Sequence, residues 1–246
     1  MAFHAAKGEG RKVRVELTLL DIDKLAPRLE AFSALLSADE RARAQRFHFE
    51  RDRTRFTLGR AALRHVLSGH LDHPPEAIVF TYGPQRKPAL EDGAMDFNAS
   101  GSHGLVAIAV ARGGVLGVDV ERPRPNTDWP GIARRFFAPL EQEELFALPK
   151  ARQEEGFLRL WTLKEAVIKF TGRGLGQGLE SFAVSLAGDF GPRVAGWSSE
   201  LSPPAALWTR PLDTGGHVSL ACATQDIEVV LCDPVEALSP AALLDQ

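Results

Sequence analysis

Leu160-Trp161-Thr162-Leu163-Lys164-Glu165-Ala166-Val167-Ile168-Lys169-Phe170, followed by Thr171-Gly172-Arg173-Gly174-Leu175, is the stretch on which the reading of this chain turns. Its spacing is helical, but its charges fall where a simple amphipathic helix would not put them. Trp161, Glu165 and Lys169 recur at every fourth position and share one face, while Leu163, Ala166, Val167 and Phe170 supply another. A Glu-Lys pair at that spacing can be no more than a surface salt bridge worth a few tenths of a kcal/mol. Beside a large indole in a mostly apolar setting, the preferred reading is an acidic metal ligand followed by a phosphate-neutralising ammonium.

Upstream, Val118-Asp119-Val120-Glu121 places two carboxylates at alternate positions of a strand, so both point to one face while the valines point to the other. Like charges that close repel, and a hard cation such as Mg²⁺ relieves the repulsion while leaving positions open for phosphate oxygens. Two solvated acids at a strand end would look the same in sequence. The apolar runs Leu105–Val110 and Val115–Val120 flank Gly113-Gly114 and read as a hairpin.

The rest of the chain repeats one order, strand, helices, strands. Val13, Val15, Leu17 and Leu19 alternate with polar residues as a first strand after a small, polar start over residues 1–11. Ser37-Ala38-Asp39-Glu40 is a capping-box signal for a helix reaching about Phe49, and a second helix spans roughly 52–68. Helices follow again near 131–147 and 151–171, then short strands over 181–232. At an offset of 101 residues, Leu36–Glu40 lies over Phe137–Glu141 and Phe56 over Phe157. Duplicated halves of this kind create a cleft at their junction, where small-molecule sites form. One half brings arginines (41, 43, 46, 51, 53, 55, 60 and 64) and the other brings acids. Those arginines read equally as a solvated helix face. Between the first helices and the first apolar run lie Lys87-Pro88 and a polar stretch, Phe97–Gly104, which reads as a loop able to approach an anion.

The chain of 246 residues carries 29 basic and 32 acidic residues, a net charge of −3, so its overall field favours neither nucleic acid nor an anionic membrane. Its 44% hydrophobic and 25% charged content is that of an ordinary globular protein. Cys222 and Cys232 both sit in apolar runs, which argues against a disulfide framework. No leader pattern and no apolar stretch long enough for a membrane span is seen, so a cytoplasmic location is expected. The histidines at 65, 70 and 73 match no compact zinc pattern and stand before Pro74-Pro75.

Taken together, these residues resemble the 4′-phosphopantetheinyl transferases of the large, monomeric surfactin-synthetase type. Three motifs carry the resemblance: Lys87-Pro88 with Phe97-Asn98-x-Ser100; Gly117-Val118-Asp119-Val120-Glu121; and Trp161-Thr162-x-Lys164-Glu165 with Lys169, Gly172 and Gly174-Leu175. Arg135-Phe136-Phe137 with Glu141, and Asp52, Arg55 and Arg60 at their spacing, also fit. The match runs from about residue 13 to 225.

The resemblance implies an α+β fold of two similar halves, 1–114 and 115–246, packed as an intramolecular pseudo-dimer with the active site at their junction. It implies transfer of 4′-phosphopantetheine from coenzyme A to a serine of an acyl or peptidyl carrier protein, with release of adenosine 3′,5′-bisphosphate. It further implies that Asp119, Glu121 and Glu165 hold Mg²⁺, that Glu141 is the candidate base, and that Lys169 stabilises the leaving phosphate with help from Lys164. Arg55, Arg60, Lys87 and Ser100 are the implied coenzyme A contacts. A monomer with no nucleic-acid or membrane partner is expected. A non-catalytic binder of coenzyme A or carrier protein, and a Mg²⁺-dependent coenzyme A phosphohydrolase, are the rival readings. One position departs from the family pattern: Gly101 stands where the family has histidine, a loss of about 1.5–3 kcal/mol of binding, or about 10- to 150-fold.

Overall fold

A computed structural model describes residues 12–71, 73–174, 178–186 and 191–232. Leu175 of the third motif, and the small, polar start over 1–11, lie outside the described residues. The chain begins with strand β1 (Val13–Asp21), whose Val15 and Leu17 are fully buried. Helices α1 (Leu29–Ala34), α2 (Ala38–Ala44) and α3 (Glu50–Ser68) follow. The expected capping contact forms, with Ser37 N donating to Glu40 Oε2 at 3.2 Å. The helix it starts ends at Ala44 instead of running to Phe49, and α3 begins two residues earlier than the spacing suggests. A small hairpin, β2 (Phe80–Tyr82) and β3 (Pro88–Leu90), precedes β4 (Asp96–Ser102) and β5 (Leu105–Ala111).

The second half repeats this plan. It comprises β6 (Leu116–Glu121), α4 (Trp129–Phe136), α5 (Pro139–Ala147) and α6 (Lys150–Thr171), then a hairpin of β7 (Phe182–Ser185) and β8 (Arg193–Trp197). Strands β9 (Ala206–Pro211), β10 (His217–Cys222) and β11 (Ile227–Cys232) close the described chain. The single helix expected over 131–147 is two, because Pro139 forces the residue before it out of helical conformation and Ala138 is extended.

Sheet order makes the duplication explicit. The first sheet runs β1-β5-β4 and the second β6-β10-β9, both antiparallel, so β1, β5 and β4 correspond to β6, β10 and β9. The two sheets face each other across Val15, Leu17, Ala107, Ala109, Val118, Val120, Val218 and Leu220. Helix α3 covers the outer face of the first sheet through Leu58, Ala61, Ala62 and Leu67, and α6 covers the outer side of the second through Leu163, Ala166 and Val167.

Two expectations are corrected here. The two apolar runs around Gly113-Gly114 do not pair as a hairpin. Both edges of β5 are taken, by β1 and β4, so the chain crosses to the other sheet and β6 pairs with β10. The stretch Phe97–Gly104 is not a loop: its first six residues are strand β4, paired with β5 from Asp96 to Ser102. From the second half of the sequence, β11 returns to add a parallel strand to β1, Val13 opposite Ile227.

Candidate active site

At the junction of the halves, β4 and β6 lie side by side without a backbone ladder, and side chains bridge them. Asn98 Oδ1 accepts from Val118 N at 2.8 Å, Ser100 Oγ donates to Asp119 Oδ1 at 2.7 Å, and Ser102 Oγ donates to Glu121 Oε2. Ser100 and Ser102 alternate on β4 as Asp119 and Glu121 do on β6, and this two-residue spacing turns both acids to one face. Helix α6 lies against β6 closely enough that a methyl group on Gly117 would collide with the Ala166 carbonyl. Only glycine permits this approach. Along α6, Trp161, Glu165 and Lys169 are partly exposed within an otherwise buried run, forming the stripe their spacing predicts.

Lys169 Nζ donates to Asp119 Oδ1 at 2.6 Å and to Ser100 Oγ at 2.7 Å, closing a triangle from three elements. Asp119 is 4% exposed, and its other oxygen, Oδ2, is buried with no hydrogen-bond partner among the described residues. Burial pushes the Asp119 carboxyl up, with Lys169 and Ser100 opposing the shift. Glu165 is also pushed up, first by burial and then by the neighbouring Asp119 charge, and it makes no hydrogen bond or ion pair to a described residue. An unpartnered buried carboxylate oxygen beside further acids is a standing electrostatic deficit. Hard oxygen donors of this kind fit Mg²⁺. Among the described residues, no group of three or more His, Cys, Asp or Glu side chains stands close enough together to hold a metal ion as they are placed. A cavity of about 110 Å³ lined by Trp129, Phe157, Trp161, Arg122 and Arg124 adjoins Glu121.

Comparison with known proteins bears directly on this arrangement. The sequence model of the 4′-phosphopantetheinyl transferase superfamily matches residues 115–219, and that of the 4′-phosphopantetheinyl transferase N-terminal region matches 25–112. The 4′-phosphopantetheinyl transferase HetI of Nostoc sp. is 40% identical over 176 residues, covering 70% of this chain and 74% of HetI. The 4′-phosphopantetheinyl transferase psf-1 of Bacillus pumilus is 32% identical, covering 89% of this chain and 94% of its own. Sfp of Bacillus subtilis is 31% identical, covering 80% and 86%.

The chain belongs to the 4′-phosphopantetheinyl transferase superfamily.

Within this superfamily fold, the other expected site residues fall in distinct places. Arg55 grips Asp23 with two hydrogen bonds, at 2.8 and 3.1 Å, on the partly exposed rim beyond Gly104. Arg60 does not face the cleft: its Nε lies 3.4 Å from Glu40 and its guanidinium 5.3 Å from the Phe80 ring centroid. Lys87 Nζ is spent on two backbone carbonyls, Leu116 at 2.9 Å and Lys169 at 2.8 Å.

Glu141 and Lys164 lie in the interior. Both side chains are 0% exposed and they pair at 2.6 Å. Glu141 Oε1 also accepts from Val184 N and Oε2 from Ala138 N, while Lys164 Nζ donates to Phe182 O. Burial pushes the carboxyl up and the ammonium down, but these close donors and acceptors favour the charged pair. Paired to each other and without exposed surface, Glu141 and Lys164 form an interior ion pair and are not open to the cleft. Sequence reasoning takes Asn98 and Ser102 only as part of a polar stretch, gives neither a bridging role, and passes over Arg124, which lies 3.2 Å from Glu121. The alternation of Asn98, Ser100 and Ser102 was the available signal.

Proposed function

We propose that this chain transfers 4′-phosphopantetheine from coenzyme A to a serine of an acyl or peptidyl carrier protein, at the cleft formed by β4, β6 and α6. The observation that carries the proposal is the Ser100–Asp119–Lys169 triangle, with its unpartnered Asp119 oxygen beside Glu165 and Glu121. Family membership supports the same reaction, which is the activity its relatives are named for.

The serine oxygen bonds to the phosphorus next to pantetheine, the bond from that phosphorus to the bridging oxygen breaks, and adenosine 3′,5′-bisphosphate leaves. Asp119, Glu121 and Glu165 would hold Mg²⁺, which when bound supplies charge neutralisation to the pyrophosphate. Lys169, fixed by two hydrogen bonds yet 28% exposed, presents its ammonium where the leaving bisphosphate gains charge. Glu165, which accepts no hydrogen bond from a described residue and whose carboxyl is pushed up by burial, would take the serine proton through an oxygen the metal leaves open. Asp119 Oδ1 is held by Lys169 and Ser100, Glu121 by Ser102 and Arg124, and Glu141 is interior. Arg55, paired with Asp23 on the partly exposed rim, would meet a coenzyme A phosphate by exchanging that carboxylate for it, and the aromatic slot beside Glu121 would offer apolar surface to the pantetheine arm.

Both halves of the cleft come from one chain, which supports a monomer. Cys222 and Cys232 are unpaired, as a reducing cytoplasm would leave them, and no helix among the described residues is long and apolar enough to cross a membrane. The test is intact-mass spectrometry of an apo carrier protein incubated with this chain, coenzyme A and Mg²⁺. A gain of about 340 Da that EDTA abolishes is expected from the transferred group and a metal-assisted step. No gain on fatty-acid, polyketide or peptidyl carriers, with coenzyme A still bound, points to a non-catalytic binder.

A further inference from the structure

We propose that Lys87 is a positioning residue: its side chain, reaching out of the N-terminal half, straps the end of α6 to the start of β6 and thereby sets the contact between Lys169 and Asp119. This inference rests on the proposed function, and it gives Lys87 a task other than holding coenzyme A.

The geometry is specific. Lys87 Nζ donates to Leu116 O at 2.9 Å and to Lys169 O at 2.8 Å, joining residues 29 and 82 positions away in sequence. Leu116 opens the strand that carries Asp119 and Glu121. Lys169 is the residue whose own ammonium meets Asp119 at 2.6 Å. One side chain therefore holds the backbone of Lys169 and the start of the strand that carries Asp119.

Each carbonyl needs the donor it receives. Lys169 O lies in the last turn of α6, where carbonyls have no helical partner and the helix dipole is negative. Gly172, left-handed at φ 68°, closes the helix through Ile168 O and leaves Lys169 O free for Lys87. Leu116 precedes Gly117, where β6 and α6 touch backbone to backbone. No side chain of β6 fits into that contact, so its fixing falls to a group from outside. Lys87 is suited to supply it. Pro88 begins strand β3, Lys87 O accepts from Gly83 N at 3.1 Å, and Gln85 of the same turn lies against Gly174 just past the end of α6. The β2–β3 hairpin thus docks on the C-terminal end of α6, with the lysine as its pin. With two of its three protons given to carbonyls and most of its surface buried, the ammonium is directed inward instead of towards a ligand.

A misplacement of about 1 Å at a catalytic site can lower the rate about 100-fold. For Lys87→Met, which keeps the stem and removes the donors, kcat is expected to fall about 10- to 100-fold while the coenzyme A dissociation constant, measured by calorimetry, stays within about threefold. Lys87→Arg, which retains donors, is expected to recover part of kcat. In a Lys169→Ala background, Lys87→Met is expected to lower kcat no further, since the group it places is gone.

Hydrogen exchange gives a readout independent of turnover: amides at the end of α6 and the start of β6 exchange faster in Lys87→Met, with the rest of the chain protected as before. A weakened coenzyme A affinity with kcat retained overturns the proposal in favour of a ligand contact. A lowered melting temperature with unchanged kcat per folded molecule and uniform exchange overturns it in favour of a merely structural role. Should Lys87→Met fail to fold, Lys87→Gln and Lys87→Arg carry the same comparisons. If the unaltered chain transfers nothing, the functional reading fails, while exchange still decides whether Lys87 straps α6 to β6.

Discussion

Glu40 and Glu141 occupy the same place in the two halves. Each stands three residues past the N-cap of a short helix, accepts from the N-cap backbone amide, and pairs with a buried cation on the long helix that follows. The pairs are Glu40 with Arg64 at 2.5 Å and Glu141 with Lys164 at 2.6 Å. The internal repeat at offset 101 aligns these two glutamates, so their shared residue type follows from one structural task performed twice.

From that task comes the first prediction. Glu141→Gln leaves Lys164 buried without its countercharge, and breaking such a pair costs about 3–5 kcal/mol. Urea unfolding should show that loss, while turnover per folded molecule stays within a few-fold of the original. A loss of turnover by about 100-fold or more in folded protein, the scale of a missing general base, would restore Glu141 to that role.

At the cleft, the opposite pattern is expected. Lys169→Ala and Glu165→Gln should each slow transfer by about 100-fold or more, the scale for removing a preorganised charge or a general base. Thermal unfolding should change little in Glu165→Gln, whose carboxylate has no ion-pair partner among the described residues, whereas Lys169→Ala should also lower stability by leaving the buried Asp119 carboxylate without its cation. Single-turnover transfer with purified carrier protein measures the loss, and near-normal rates in both variants contradict the assigned roles.

Gly101 faces outward on β4, and a methyl group there would touch only Val106 Cγ2 at 3.6 Å and Leu105 O at 3.7 Å, ordinary contacts. Gly101→His should therefore fold normally and lower the Michaelis constant for coenzyme A by about 10-fold or more, by adding a donor to a charged acceptor. An unchanged constant removes the phosphate-donor interpretation of this position.

Burial pushes the Lys87 ammonium down to about 8 from its ordinary 10.5. Between those values the unfolded chain binds more protons than the folded one, so the contribution of this group to stability rises with pH. The penalty of the buried charge is fully present below about pH 8 and relieved above it. Denaturant unfolding from about pH 7.5 to about pH 10.5 should show a rise of up to about 3 kcal/mol that Lys87→Met lacks. Parallel profiles for the two proteins contradict it.

The functional helix is legible in the sequence because its signal is local. A four-residue spacing puts Trp161, Glu165 and Lys169 on one face whatever α6 packs against, and the two-residue spacing does the same for Asp119 and Glu121. Partners are not legible. Strand β5 is buried at every position, so its apolar run says nothing about which strands lie beside it, and the neighbouring run reads as the other arm of a hairpin that does not form. Asn98, Ser100, Gly101 and Ser102 are poor strand formers, which hides β4 within a polar stretch. The direction in which a charged side chain points is likewise set by tertiary packing. Lys164 and Lys169 are alike in sequence, yet one is sealed against Glu141 and the other opens onto the cleft.

The most direct measurement is chromatographic quantitation of adenosine 3′,5′-bisphosphate alongside holo-carrier protein, using an apo carrier and its variant lacking the acceptor serine. Equal molar amounts of the two products, with none formed from the serine variant, are predicted. Bisphosphate released without any carrier would contradict group transfer and identify a phosphohydrolase. Absence of both products, with coenzyme A still bound, would leave a binding protein.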